Sequence, residues 1–260
     1  MQSRSELPNI AADIIERLRQ RRPRVHCITN AVAQAFTANV LLAAGAVPSM
    51  TIAPKEVAAF AGRADALLVN LGTFDAERQK ASLAAVAAAG KARKPWVLDP
   101  VFIDRSAPRA AFAKRLLAKR PTALRLNLAE FTALGGKNLS AKSIDPAALL
   151  RYAAAQRTVI GLTGEHDFVC DAKRLASIAN GDPLMAKVTA MGCAGSALVA
   201  ACLAVENDPW KATAAALIGF GVAGEVAASR ARGPGSFAVE IVDALHALDR
   251  RTLIEKARVA

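Results

Sequence analysis

Short apolar runs closed by turn-forming residues alternate along this chain with longer stretches rich in alanine and leucine. A run apolar at every position has no face to offer water. It must be a strand covered on both sides, and a parallel sheet wrapped by helices is the architecture that covers it. Residues 24–29, 47–51, 66–71, 96–98, 123–126 and 158–162 read as such strands, with 168–171 beside the last of them as a hairpin. Between them, Asn30 caps a helix running to residue 44 with Gly45 as its left-handed stop, and another opens near Pro54. Gly72-Thr73 turns into a helix ending near Gly90, and a helix from Asn127 through Leu134 stops at Gly135-Gly136. The last third is helical over 192–206, 209–231 and 237–249. The pattern predicts one domain over 1–260, a three-layer α/β/α fold around a mostly parallel central sheet. No repeat, long linker or low-complexity tail divides it.

Composition narrows the function classes. A formal charge of +12 raises nucleic acid as a partner. Yet Arg17, Arg19, Arg21, Arg22 and Arg24 close the first helical stretch, and Lys114, Arg115, Lys119 and Arg120 close another. Positive charge is favoured at helix C-termini, and no aromatic residues interleave to stack bases. No nucleic-acid partner is expected. Cys27, Cys170, Cys193 and Cys202 show no metal spacing and read as reduced thiols of a cytoplasmic protein. Glu6, Asp13 and Glu16 interrupt any signal-peptide core. The alanine-rich runs near 193–205 and 212–224 are too short, or too broken by glycine, for membrane spans and read as buried helices.

In open α/β sheets the ligand crevice lies outside the carboxyl ends of the strands. Polar residues follow strands at Thr29-Asn30, Asp99-Pro100, Asn127 with Glu130, and Thr163-Gly164-Glu165. A further stretch, Lys187 to Ser196, opens a long helix with small residues, and free amides at a helix start bind anions. The chain has neither a Walker pattern nor a first-strand GxGxxG, so phosphate handling falls to that late stretch. Asp99 and Glu130 suit Mg²⁺, which takes one or two carboxylates along with phosphate oxygens. The competing readings are a turn cap for Asp99 and first-turn helix charge for Glu130. Cys193 sits where a helix dipole lowers a thiol pKa, or is a small core residue like the other three cysteines. His26 and His246 read as structural, while His166 is open to either role.

Val25-His26-Cys27-Ile28-Thr29-Asn30 is followed by Phe36-Thr37-Ala38-Asn39-Val40-Leu41-Leu42-Ala43-Ala44-Gly45-Ala46. Asn70-Leu71-Gly72-Thr73, Val97-Leu98-Asp99-Pro100-Val101, Asn127-Leu128-Ala129-Glu130, Leu162-Thr163-Gly164-Glu165 and Lys187-Val188-Thr189 come after it in that order. In these segments and their order the chain resembles the hydroxyethylthiazole kinases of thiamine salvage, the first block carrying most of the resemblance. The resemblance implies a ribokinase-like fold and transfer of phosphate from ATP to 4-methyl-5-(2-hydroxyethyl)thiazole, with Mg²⁺, in a homotrimer that binds thiazole between subunits. It implies that Met50, Asn30 and the Ala190 amide bind thiazole, that Arg125 and Thr163 bind ATP, and that Asp99 and Glu130 organise Mg²⁺. Gly192 and Cys193 would form the anion hole, with Cys193 standing where most ribokinase-like kinases carry an aspartate base. Two departures stand out. The family's Gly-Thr-Gly-Cys is here Ala190-Met191-Gly192-Cys193, and the glycine-rich stretch after Asp99-Pro100-Val101 is here Phe102-Ile103-Asp104-Arg105-Ser106. Another small-alcohol kinase, an ATP-dependent dehydratase of hydrated nicotinamide cofactors, and a non-catalytic thiazole or nucleotide sensor are the alternatives on the same fold.

Overall fold

The computed structural model describes residues 6–135, 139–140 and 143–260. Six strands run parallel: β1 (Arg24–Ile28), β2 (Val47–Ser49), β3 (Ala66–Asn70), β4 (Trp96–Asp99), β5 (Ala123–Asn127) and, after a small hairpin of β6 (Leu139–Ser140) and β7 (Ser143–Ile144), β8 (Val159–Thr163). β9 (Asp167–Cys170) and β10 (Leu175–Ile178) turn back antiparallel, giving the order β10-β9-β8-β5-β4-β3-β1-β2. Side chains along each strand alternate between two cores. Val25 and Cys27 of β1, with Ala66 and Leu68 of β3, face one; Ile28, Leu67 and Val69 face the other. Every residue of β3 is buried, as its uninterrupted apolar run requires.

Helices α1 (Leu7–Arg21), α2 (Gln34–Ala44), α8 (Met191–Leu203), α9 (Pro209–Ala228), α10 (Pro234–Ala247) and α11 (Arg250–Lys256) cover the first face. Helices α3 (Val57–Arg63), α4 (Ala76–Lys91), α5 (Ala107–Leu117), α6 (Leu128–Ala133) and α7 (Pro146–Gln156) cover the second. In α1, Leu7, Ala11, Ile14, Ile15 and Leu18 recur at helical spacing and form the buried stripe. Arg22 ends α1 in the left-handed region, its N–H donating to the Leu18 carbonyl. Members of the basic cluster serve the packing directly: Arg19 donates to the carbonyls of Leu245 and His246 at the end of α10, and Arg17 pairs with Glu206. The helix α9 is apolar and long enough to cross a bilayer, but it lies in the core against α1, α8 and α10.

Several local expectations need correction. The second helix begins at Gln34, not at an Asn30 cap; Asn30 turns its side chain toward α8 instead. The helix placed near Pro54 starts at Val57, and the hairpin beside β8 has a further strand, β10. Gly45 and Gly135 take the left-handed conformation expected of helix stops, while Gly136 lies outside the described residues.

In the sheet β1 lies between β2 and β3, so the connections leaving β1 and β3 diverge. A crevice opens at such a switch point. Asn30 and Asn70-Leu71-Gly72 border it. A side chain at Gly72 would lie 2.6 Å from Asn30 Nδ2, so the two loops meet only because that position is glycine.

Candidate active site

Parallel register sets Asn70 opposite Asp99 at the ends of β3 and β4. Asn70 Nδ2 donates to Asp99 Oδ2 at 2.6 Å, and Ser196 Oγ of α8 donates to the same oxygen at 2.7 Å. Asp99 is 1% exposed. Burial drives its pKa up, while the Arg125 charge and these two donors pull against it. Glu130 belongs to the capping box of α6: Asn127 Oδ1 accepts from the Glu130 N–H, and Glu130 Oε2 accepts from the Asn127 N–H, each at 2.9 Å. Its Oε1 accepts from the Phe102 N–H at 3.1 Å. Burial, then the charge of Asp99, pushes Glu130 up to about 7. The first-turn reading of Glu130 is therefore correct as far as it goes, and the same carboxyl also feels the second acid. Two buried carboxyls thus stand together at the carboxyl ends of the central strands.

The cation on that edge is Arg125. Its alternation on β5 aims it at the start of α8, where a Cβ on Gly192 would sit 2.8 Å from Arg125 Nη1. Glycine lets the guanidinium lie this close; a larger residue would push it aside. The Arg125 charge lowers the pKa of Asp99, Glu130, Asp167 and Cys193 against larger opposing effects, which ties all four to one locus. No side chain caps α8, so the amides of its first turn stay available to a bound anion. Ala190, at its N-cap, is held at φ +69°, the left-handed strain expected of alanine in a glycine position. Met191 is buried and shares the wall of the adjoining cleft rather than projecting into solvent.

The expectation of a lowered thiol pKa at Cys193 is reversed. Burial, and next the charge of Asp99, raise it to about 11, outweighing the helix start and leaving the thiol protonated at neutral pH. Asn30 Nδ2 donates to Cys193 Sγ at 3.1 Å, while Asn30 Oδ1 is buried without a partner. His26, fully buried, is hydrogen-bonded through Nδ1 to Ser49 Oγ at 2.8 Å and held down at about 4 by burial, as a structural histidine. All four cysteines are buried and free.

A cleft of about 680 Å³ opens beside Arg125, bounded by Thr163, Asp167, Asn180, Gly192 and Phe220. The fold thus gathers Asn30, Asp99, Arg125, Glu130, Gly192 and Cys193, with Thr163 on the cleft wall. Met50 stands apart, just past β2, where it packs on the core of the first face. Of the foreign stretch after Val101, Ile103 is buried, Phe102 is exposed at φ +59°, and Asp104 and Arg105 pair with each other at 3.5 Å. The extra charges turn outward, away from the acids. Sequence reasoning gave no role to Asn70 or Ser196. The signal was available: Asn70 ends the strand before that of Asp99, and Ser196 lies one helical turn beyond Gly192. Among the described residues no three His, Cys, Asp or Glu side chains form a metal cluster.

Residues 15–251 match the Hydroxyethylthiazole kinase family. The chain belongs to that family. It is 47% identical over 247 residues to hydroxyethylthiazole kinase from Klebsiella pneumoniae, covering 92% of this chain and 96% of that one. The structure of hydroxyethylthiazole kinase protein from Pyrococcus horikoshii OT3 superposes with a TM-score of 0.91 at 35% identity, covering 97% of this chain and 98% of that one. A ribokinase-like superfamily protein from Enterococcus faecalis matches with a TM-score of 0.69 at 16% identity, covering 90% of this chain and 93% of that one. This last likeness shows the fold alone: ribokinase-like, as the family resemblance implied.

Proposed function

We propose that this chain, as one kinase domain over 1–260, transfers the γ-phosphoryl group of ATP to the primary alcohol of 4-methyl-5-(2-hydroxyethyl)thiazole in thiamine salvage. The observation that supports the reading is the placing of Arg125 between two features: the uncapped start of α8 at Gly192, which lines the cleft with it, and the buried Asp99–Glu130 pair, which feels its charge. Phosphoryl transfer needs alignment and charge neutralisation more than covalent chemistry, and these groups supply both.

In this reading Arg125 and Thr163 hold ATP in the cleft, and the amides at Gly192 and Cys193 take charge from the phosphoryl group in flight. The oxygen donors of Asp99 and Glu130, both raised in pKa chiefly by burial, fit a hard divalent cation such as Mg²⁺. Bound there, the cation adds positive charge at the phosphate oxygens. Asn30, whose Oδ1 lacks a partner, and the Ala190 N–H hold the thiazole alcohol, and Met50, which stands apart from them within one chain, reaches it from a neighbouring subunit. Cys193 is protonated and serves as a hydrogen-bonding neighbour of the alcohol rather than its base. A loose transition state asks little of a base in any case.

The assembly we read as a cytoplasmic homotrimer with thiazole bound between subunits. Val47 and Phe60, exposed yet lining an apolar pocket of about 340 Å³ beside β2, support a face that a neighbouring subunit covers. Analytical ultracentrifugation should give the mass of three chains, and a monomer would refute the trimer. For the activity, purified protein with Mg·ATP and the thiazole alcohol should yield the phosphate ester by mass spectrometry. Absence of product, with both ligands binding, would refute the kinase reading and favour a sensor.

A further inference from the structure

In the cleft wall formed by Asn180-Gly181-Asp182, Asp182 is held by the turn that follows it, but Asn180 and Gly181 are held by residues distant in sequence. Asn180 is 8% exposed and makes three side-chain hydrogen bonds: Nδ2 donates to Glu225 Oε1 at 2.9 Å and to the Lys256 carbonyl at 2.8 Å, while Oδ1 accepts from the Arg258 N–H at 2.7 Å. The Gly181 N–H donates to the same Glu225 Oε1 at 2.9 Å. Arg258 closes the knot. Its Nη1 and Nη2 donate to Glu225 Oε2 and Oε1 at 3.0 and 2.6 Å, and Nη2 also reaches the Ala179 carbonyl at 2.6 Å. Alongside, Ser177 and Ala260 exchange backbone hydrogen bonds, and Ile178 bridges to Val259. The wall sits directly on α9 because residue 221 is glycine: a Cβ there would come within 2.8–3.0 Å of Asn180.

Glu225 and Arg258 are absent from the cleft lining, yet one carboxylate oxygen of Glu225 collects three donors that fix where the wall stands. From Gly181 the chain runs through the turn at Pro183–Lys187 into Ala190 and Gly192. The wall and the start of α8 are thus successive parts of one tethered segment. We infer that Glu225, clamped by Arg258, is a positioning residue for the nucleotide, setting how tightly the cleft grips its outer part without touching it. The inference rests on the reading of this cleft as the ATP site. The charged fork matters to it: a bidentate arginine–carboxylate pair fixes orientation as well as distance.

The test is steady-state kinetics with ATP and thiazole alcohol varied separately, together with ADP binding by calorimetry, on Glu225→Ala, Glu225→Gln and Arg258→Ala. Glu225→Ala should raise the ATP KM and the ADP Kd about tenfold, the effect of roughly one lost charged hydrogen bond. Both kcat and the alcohol KM should stay within about twofold, because α8 is buried along nearly its whole length and that packing, not the tether, holds Gly192 against Arg125. Glu225→Gln, which keeps one acceptor oxygen for the wall but loses the charged fork with Arg258, should fall between the parent and Glu225→Ala, with ADP weakened several-fold. Arg258→Ala should weaken ADP several-fold. If Glu225→Ala does not fold, Arg258→Ala, changed on the exposed side of the pair, decides alone. Unchanged ADP affinity in a folded variant, or a fall in active enzyme with the ATP KM constant, would show a merely structural role and overturn the inference. Wild-type protein that does not bind ADP would instead remove the nucleotide reading beneath it, an outcome separable because it appears before any variant is compared.

Discussion

Replacing Ala190 by glycine should make the protein more stable, against the usual direction for such a change in or near a helix. Ala190 stands at φ +69° and ψ −2°, where an L-residue with a Cβ is disfavoured by about 1–2 kcal/mol. Glycine removes that strain but brings more unfolded-state freedom, which costs about 0.4–1 kcal/mol. The balance is a gain of about 0.5–1 kcal/mol, or about 1–4 °C in Tm for a chain near this size. Ala87, exposed within α4 at ordinary helical geometry, provides the control. There the same substitution should cost about 1 kcal/mol. Thermal melts and urea titrations of the two variants and the parent would measure both, with the urea slope constant and only the midpoint moving. If Ala190→Gly lowers Tm as Ala87→Gly does, then residue 190 is not held in the left-handed region, and the geometry assigned to the start of α8 is wrong. Because the backbone amide keeps its place, the alcohol KM should change little.

Phe102→Gly should behave like Ala190→Gly, raising Tm by a few degrees, since Phe102 is exposed at φ +59° and its N–H to Glu130 survives the change; calorimetry would record it. Cys193→Ser should keep kcat within about tenfold in the phosphorylation assay, because a thiol held near 11 is no base at neutral pH; a loss of about 10²–10⁴ would restore that role. His26 unfolds from a site that holds it at about 4 to an ordinary value near 6.5, so its contribution is present above pH 6.5 and is lost as pH falls toward 4. The stability of the parent relative to His26→Asn should therefore decline by on the order of 2–3 kcal/mol between those limits, read from urea midpoints at each pH. A difference that does not change with pH would mean the imidazole is not held neutral.

The layered fold was legible because it follows from counting. An apolar run without alternation has to be covered on both faces, and β3 is buried at every residue. What escaped the sequence is whatever depends on a distant partner. Asn30 looks like a helix cap when only its neighbours are weighed, but its amide is taken by Cys193, 163 positions away. Of the two readings of Cys193, the small buried residue stands and the lowered thiol pKa does not, for a related reason: a helix dipole is visible in the chain, whereas burial and the Asp99 charge are products of the fold. β10 is four residues long, without strong alternation, and is defined by pairing with β9. Glu130 shows the opposite case. Its place three residues after Asn127 signals a capping box, and that local duty concealed nothing of its second one beside Asp99.

The helix α9 packs on α1, yet roughly 190 residues lie between the end of one and the start of the other. At ribosomal speeds of about 5–20 residues per second, α1 emerges about 10–40 s before the helix that covers its apolar stripe. When α9 does emerge, it is as apolar as a membrane anchor, and α1, α8, β8 and β9 are already there to receive it. Newborn copies of this protein therefore spend most of their synthesis with half of a core and no lid for it, and should lean on holding chaperones until the final helices arrive.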